Sequence, residues 1–212
     1  MCRLFSLLIL AASTAGSAFA QTPSSPPPAA ADTTAVCDPS EHGATVELPE
    51  GETPPYVTDL ECLERLTHEA ANAARREAGL APLAWADDVA AVAQAHSEDM
   101  VRRGFVAHVT PDGVGPPQRL AAAGVDCSAG SAENIAFHSP VLLLRTQATA
   151  AGEVDTVVWG DRALAGGEPV AMWLDSPPHR RNLLNPDHTR HAIGFAYDEA
   201  TQEYRVTQVL CV

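Results

Sequence analysis

Apolar residues recur three and four positions apart through Cys62, Leu63, Leu66, Ala70, Ala73 and Ala74, the spacing that lines one face of an α-helix. Thr58-Asp59 supplies a cap before this stripe and Gly79 closes it,. A second stripe, Val89, Val92, Ala93, His96, Met100 and Val101, runs from a cap at Asp87 to a stop at Gly104,. Beyond it lie Phe105 to His108, a turn at Pro111-Asp112-Gly113, a short helix around Gln118 to Ala123 and an extended segment near Glu133-Asn134-Ile135-Ala136,. A third helical run holds Val170, Met172, Trp173 and Leu174. Ser176-Pro177-Pro178 stops it, because a proline biases the residue before it away from helix, and His179 is expected on a rigid corner,. At the end, Ala192 to Tyr197 and Tyr204 to Leu210 are β-rich runs flanking a turn at Asp198-Glu199-Ala200-Thr201, the pattern of a hairpin,.

Three other stretches lack such a period. Residues 1–20 read as a signal peptide: one early Arg3, an apolar run from Leu4 to Ala15, and the small residues of Ala18-Phe19-Ala20 before a cleavage point,. That run is too short to span a bilayer, so no stable membrane insertion is expected. Residues 21–35 form a Pro- and Ala-rich tract expected to be a disordered linker, and residues 36–57, acidic and rich in Pro and Gly, an irregular extension held by Cys37. The domain proper is 58–212. Within it, residues 137–166 carry Val141 to Leu144 and Val157-Val158-Trp159, and are expected to be an ordered insertion, since structureless loops of that length are uncommon in compact domains,.

The chain of 212 residues has a formal net charge of −14, one unit more negative once Arg3 leaves with the leader. An acid excess of this size repels phosphate backbones and anionic lipid, which argues against nucleic acid as a partner; a monomer is expected. Cys2 leaves with the leader, and four cysteines in an exported chain read as two disulfides with three possible pairings. Cys37 with Cys62 and Cys127 with Cys211 are favoured, the first tying the extension to the first helix and the second tying two segments of one sheet.

Seven short motifs occur in one order: Asn72-x-x-Arg75 with Gly79-Leu80-x-Pro82-Leu83-x-Trp85; Ala95-His96-Ser97-x-x-Met100; Phe105-x-x-His108 with Pro111-Asp112-Gly113; Arg119 to Gly124; Glu133-Asn134-Ile135-Ala136; Trp173-x-x-Ser176-x-x-His179-Arg180-x-Asn182-Leu183-Leu184; and Ile193-Gly194 with Val206-Thr207-Gln208. Together they resemble the CAP superfamily, or SCP domain, in its bacterial form. The resemblance implies an α+β fold, a three-layer α-β-α sandwich with a small antiparallel sheet. It also implies a cleft of two histidines and two glutamates, of which His108, Glu133 and His179 fall on three positions. At the fourth, this chain has Ser176 in Trp173-x-x-Ser176, with Asp175 beside it.

Two imidazoles and a carboxylate are the ligand set of an open zinc site, so His108, His179 and Glu133 are candidate ligands of zinc or another divalent metal. With Ser176 they are also the candidate catalytic residues. The competing readings are a purely structural cleft, in which Glu133 accepts hydrogen bonds from backbone N–H groups and His108, and a metal-dependent hydrolase. A serine peptidase is disfavoured because Ser97, Ser131 and Ser176 lie in no Gly-x-Ser-x-Gly elbow,. His96 is expected as a core or boundary residue of the second helix, His188 and His191 in a polar loop before the hairpin, and Trp85, Trp159 and Trp173 in the core. The preferred function is a secreted binding module for a lipid or a protein partner, with Val141 to Leu144 walling a lipid-sized groove.

Overall fold

The computed structural model describes Cys37 and residues 45–50, 52–149 and 152–212; the expected signal peptide and linker lie outside these residues. The element order is β1 (Thr45–Pro49), a 3-10 turn (Pro55–Thr58), α1 (Leu60–Glu77), β2 (Ala84–Trp85), α2 (Asp87–Arg103), α3 (Pro116–Ala122), β3 (Ser131–His138), β4 (Val141–Thr149), β5 (Gly152–Gly160), α4 (Arg162–Asp175), α5 (Pro177–Leu183), β6 (Arg190–Asp198) and β7 (Glu203–Cys211).

The expected hairpin is the centre of a four-stranded sheet ordered β2-β6-β7-β3, antiparallel except where β2 runs parallel to β6. Successive side chains of a strand point to opposite faces, and β6 uses both. Ile193 and Phe195 pack with Leu63 and Ala71 of α1, Trp173 of α4 and Leu183 of α5, while Ala192 packs with Val89, Val92 and Ala93 of α2 and Leu120 of α3. This is the α-β-α layering that the resemblance implies. Gly194 lets α2 lie directly on the sheet, since a Cβ there would come within 2.3 Å of the Gln94 nitrogen and 2.5 Å of the Ala93 carbonyl carbon.

Three expectations need correction. Thr45–Pro49 lies in the stretch read as irregular, yet it is a strand of a second, antiparallel sheet, β1-β5-β4. Leu48 registers with Val157 and Val46 with Trp159, an apolar alternation too short to be read beside so much Pro and Gly. The insertion supplies the other two strands, but it ends early: α4 begins at Arg162, with Asp161 capping it through Leu164 N–H. Pro169 sits inside that helix and has no N–H to give the Ala165 carbonyl, which instead accepts from the Nε2 of His138 at 3.1 Å. Third, Pro177-Pro178 does not leave His179 on a loop corner. Both prolines occupy the first turn of α5, where a missing N–H costs nothing,, so His179 is held on a helix.

Both favoured disulfides are present, Cys37–Cys62 with Cα atoms 5.5 Å apart and Cys127–Cys211 with Cα atoms 5.3 Å apart. The second anchors the segment between α3 and β3 to the end of β7. Among the described residues, no helix is long and apolar enough to cross a membrane.

Candidate functional site

Edge strand β3 is the spine of the cleft. Glu133 and Asn134 are adjacent on it, so their side chains leave opposite faces. Glu133 turns toward α2 and α3, where its side chain is 2 % exposed and bonded at both oxygens. Oε1 accepts from His108 Nδ1 at 2.8 Å, and Oε2 accepts from Arg119 of α3. A carboxylate offers only acceptors, so His108 must carry its proton on Nδ1, which leaves Nε2 as the free nitrogen. The His108 side chain is 47 % exposed.

The loop bearing His108 is held by two further groups. His96 of α2 donates from Nε2 to the Ala107 carbonyl at 3.0 Å and lies 4.0 Å from Glu133. Burial outweighs that carboxylate and pulls the His96 pKa below the ordinary histidine value, consistent with the expected core position. Arg119 also donates to the carbonyls of His108 at 2.9 Å and Val114 at 3.2 Å. One guanidinium therefore balances the Glu133 charge and pins both ends of the loop.

His179 reaches the same cleft from the other face of β3. Its ring centroid lies 6.3 Å from that of His108, with the planes at 57°. Burial, with the His108 charge adding, lowers the His179 pKa. Two of the three sequence candidates thus present their rings to each other, and the third stands behind one of them. Ser176 is the residue between α4 and α5, and its carbonyl accepts from the Arg180 N–H at 2.8 Å. Among the described residues no three His, Cys, Asp or Glu side chains form a metal-ligand cluster. The donor set fits an ion only through the imidazole pair: two rings bound at about 2.0 to 2.1 Å hold their centroids roughly 5 to 6 Å apart, slightly closer than observed here.

Other candidates fall elsewhere. His191 is not in a loop but on β6, fully buried, with Nε2 2.7 Å from His68 Nδ1 and Nδ1 2.9 Å from Gln208 Nε2. His188 is buried as well, its Nδ1 donating to the Asn182 carbonyl at 3.0 Å. Ser97 is wholly buried and donates to the Gly194 carbonyl at 2.8 Å, a structural role. Trp159 and Trp173 are core residues, and Trp85 is partly buried against the same core. Leu142, Leu143 and Leu144 belong to the β1-β5-β4 sheet. They lie on edge strand β4 and are 49 to 67 % exposed. An open groove of about 360 Å³ is lined by Leu60 at the start of α1, Gln94 and Val101 of α2, and Ala196 and Tyr197 of β6 among others, away from the cleft histidines.

Sequence reasoning missed Arg119, Asn134 and Asn182 as site residues. All three stand inside the quoted motifs, but no spacing rule marks an arginine or an amide as the partner of a carboxylate or a carbonyl far along the chain.

Comparison with known proteins agrees with this architecture. The model of the cysteine-rich secretory protein (CAP) family matches residues 68–211. Two Bacillus subtilis proteins are similar in sequence. The uncharacterized membrane protein YlbC is 32% identical over 133 residues, covering 63% of this chain and 31% of that protein. The uncharacterized protein YkwD is 26% identical over 138 residues, covering 65% and 44%. The chain therefore spans less than half the length of either. Among solved structures, an extracellular protein containing an SCP domain from Bacillus anthracis superposes with a TM-score of 0.54 at 25% identity, over 76% of this chain and 45% of that one. An outer surface protein from Borrelia burgdorferi superposes with a TM-score of 0.51 at 15% identity over 77% and 98%, a likeness of fold alone.

Proposed function

We propose, from the premise that this chain belongs to the cysteine-rich secretory protein (CAP) family, that it is a secreted binding module whose cleft takes a divalent metal weakly between His108 and His179. The observation that carries the reading is the bond from His108 Nδ1 to Glu133 Oε1 at 2.8 Å. A carboxylate behind an imidazole fixes its tautomer and raises its basicity as a ligand, and here it leaves Nε2 as the free nitrogen of a ring whose centroid lies 6.3 Å from that of His179. Glu133 then acts as the acceptor that orients His108. With Arg119 and His108 on its two oxygens and its side chain 2 % exposed, its part in this reading is to orient His108 rather than to ligate.

A metal held by only two protein nitrogens keeps positions open for oxygen donors of a ligand, such as a carboxylate or carbonyl. Exposed Val106, Val109 and Val114 on the His108 loop offer the apolar contact that a lipid or the side chains of a protein partner would use. Secretion is supported by two disulfides, which persist in oxidising compartments, and by the extracellular relative from Bacillus anthracis.

Calorimetric titration of Zn²⁺ into wild type, His108→Ala and His179→Ala at pH 7.5 and 5.5 tests the reading. Binding at pH 7.5 is expected to weaken strongly in either variant and to weaken in wild type at pH 5.5, because ligating imidazoles must be neutral. Equal affinities in all three proteins would leave the cleft as scaffold. Native mass spectrometry of the secreted protein checks the ligand, with a co-purifying lipid or protein expected.

A further inference from the structure

His108 and Glu133 belong to one face of edge strand β3, and α5 packs across the other. The link between α5 and β3 is a pair of amides. Asn182 Nδ2 donates to the Glu133 carbonyl at 3.2 Å and to Asn134 Oδ1 at 2.9 Å. Asn134 is fully buried, and its Nδ2 donates to the His179 carbonyl at 3.2 Å and to Gln208 Oε1 at 2.9 Å. The backbones of Glu133 and His179, the two cleft residues that come from opposite faces, are therefore stitched together through a single amide pair. The far end of α5 is secured separately: fully buried Arg75 donates to the carbonyls of Leu183 at 2.8 Å and Asn185 at 2.9 Å.

We infer that Asn134 and Asn182 are positioning residues that set the distance between the two cleft imidazoles. With Arg75 fixing the C-terminal end of α5, the amide pair determines how close its N-terminal turn, and hence His179, comes to β3. Truncating Asn182 leaves Asn134 Oδ1 without a donor inside the protein, so the Asn134 amide that holds the His179 carbonyl is no longer fixed in orientation, while the Arg75 clamp and buried Leu183 keep α5 folded.

The inference concerns geometry first, and only its affinity consequence rests on the metal-pair reading. Ring-proton nuclear Overhauser effects in metal-free protein test the geometry. Wild type is expected to show a contact between the His108 and His179 rings and another between His68 and His191, whose centroids are 5.0 Å apart. Asn182→Ala is expected to lose the first and keep the second, and Asn182→Ser, which retains a donor, to recover part of it. Persistence of the His108–His179 contact in Asn182→Ala, with the fold intact by the His68–His191 contact, overturns the inference. Should Asn182→Ala fail to fold, Asn182→Ser alone decides it, a full-strength contact counting against and a weakened one in favour. In Zn²⁺ titrations a loss of about 10- to 100-fold is expected for Asn182→Ala. If wild type binds no Zn²⁺ while the Overhauser contact still depends on Asn182, the metal reading fails and the positioning role stands.

Discussion

Replacing Arg119 with Met removes the guanidinium that balances Glu133 while preserving most of the packed stem. The carboxylate left behind has a side chain 2 % exposed, and the arginine it loses is 11 % exposed, so the pair belongs with buried rather than surface ion pairs. Breaking a buried pair by removing one partner costs about 3 to 5 kcal/mol, because it leaves a charge without compensation. His108 remains as a donor to the other oxygen, and water can enter where the guanidinium was, which places the expectation at the lower end, about 3 kcal/mol. The two carbonyls that Arg119 also serves, on His108 and Val114, add little because their exposed loop can be resolvated. Urea denaturation of wild type and Arg119→Met at pH 7 measures the difference, with an unchanged slope confirming that the same surface is exposed on unfolding. Adding Glu133→Gln is expected to recover at least about half of the loss, since the stranded charge is then gone. A loss below about 1 kcal/mol, the range of exposed ion pairs, with unchanged slope would refute the view that this pair builds the cleft.

Gly194→Ala places a Cβ against the backbone of α2, and since backbone cannot give way as a side chain can, a loss of about 3 kcal/mol or more in urea is expected; a near-neutral variant would mean that α2 does not lie directly on the sheet. Burial raises the Glu64 carboxyl to about 7, with Glu61 adding and the Phe195 N–H opposing, so its contribution to stability is present below pH 4.5 and lost as pH rises through 7. Glu64→Gln keeps an acceptor for that N–H and should gain on the order of 1 to 2 kcal/mol at pH 8, after allowance for screening, and nothing at pH 4.5; the reverse ordering of urea midpoints would contradict the burial of Glu64. Burial lowers His191 to about 3 and His138 to about 4, so both stay neutral in the fold while the unfolded chain takes up protons below about 6.5. Measured in the Glu64→Gln background, stability should fall from pH 6.5 toward 4 by up to about 1.4 kcal/mol per pH unit for each histidine, and a flat profile would be inconsistent with their burial. Replacing Cys127 and Cys211 together with Ala should cost about 2 to 5 kcal/mol because the loop they close is long,, which thermal unfolding with and without reductant checks.

What could be read in advance follows from local signals. The stripes of α1 and α2 and the stop at Gly104, whose φ of 65° suits a residue without Cβ, depend on neighbours within a few positions. The β1-β5-β4 sheet was hidden because β1 pairs with residues more than a hundred positions away: Glu47 faces Val158, and Arg145 donates to Glu47 across the sheet at 3.1 Å. His191 is expected in the polar loop before the hairpin, yet β6 begins at Arg190 and the ring is buried beside His68 of α1 and Trp85 of β2. In the cleft, His108, Glu133 and His179 are placed by the family resemblance, whereas their supports are not. Asn134, Asn182 and Arg119 act through backbone carbonyls and a single buried carboxylate, partners that only the folded chain brings within reach.

The most direct measurement of the cleft's proposed role is zinc K-edge X-ray absorption on untagged protein loaded with one equivalent of Zn²⁺, recorded for wild type and His179→Ala. Scattering from two imidazoles at about 2.0 to 2.1 Å with the remaining neighbours oxygen is expected in wild type, and one imidazole fewer in the variant. Identical spectra from the two proteins would contradict a metal held between His108 and His179.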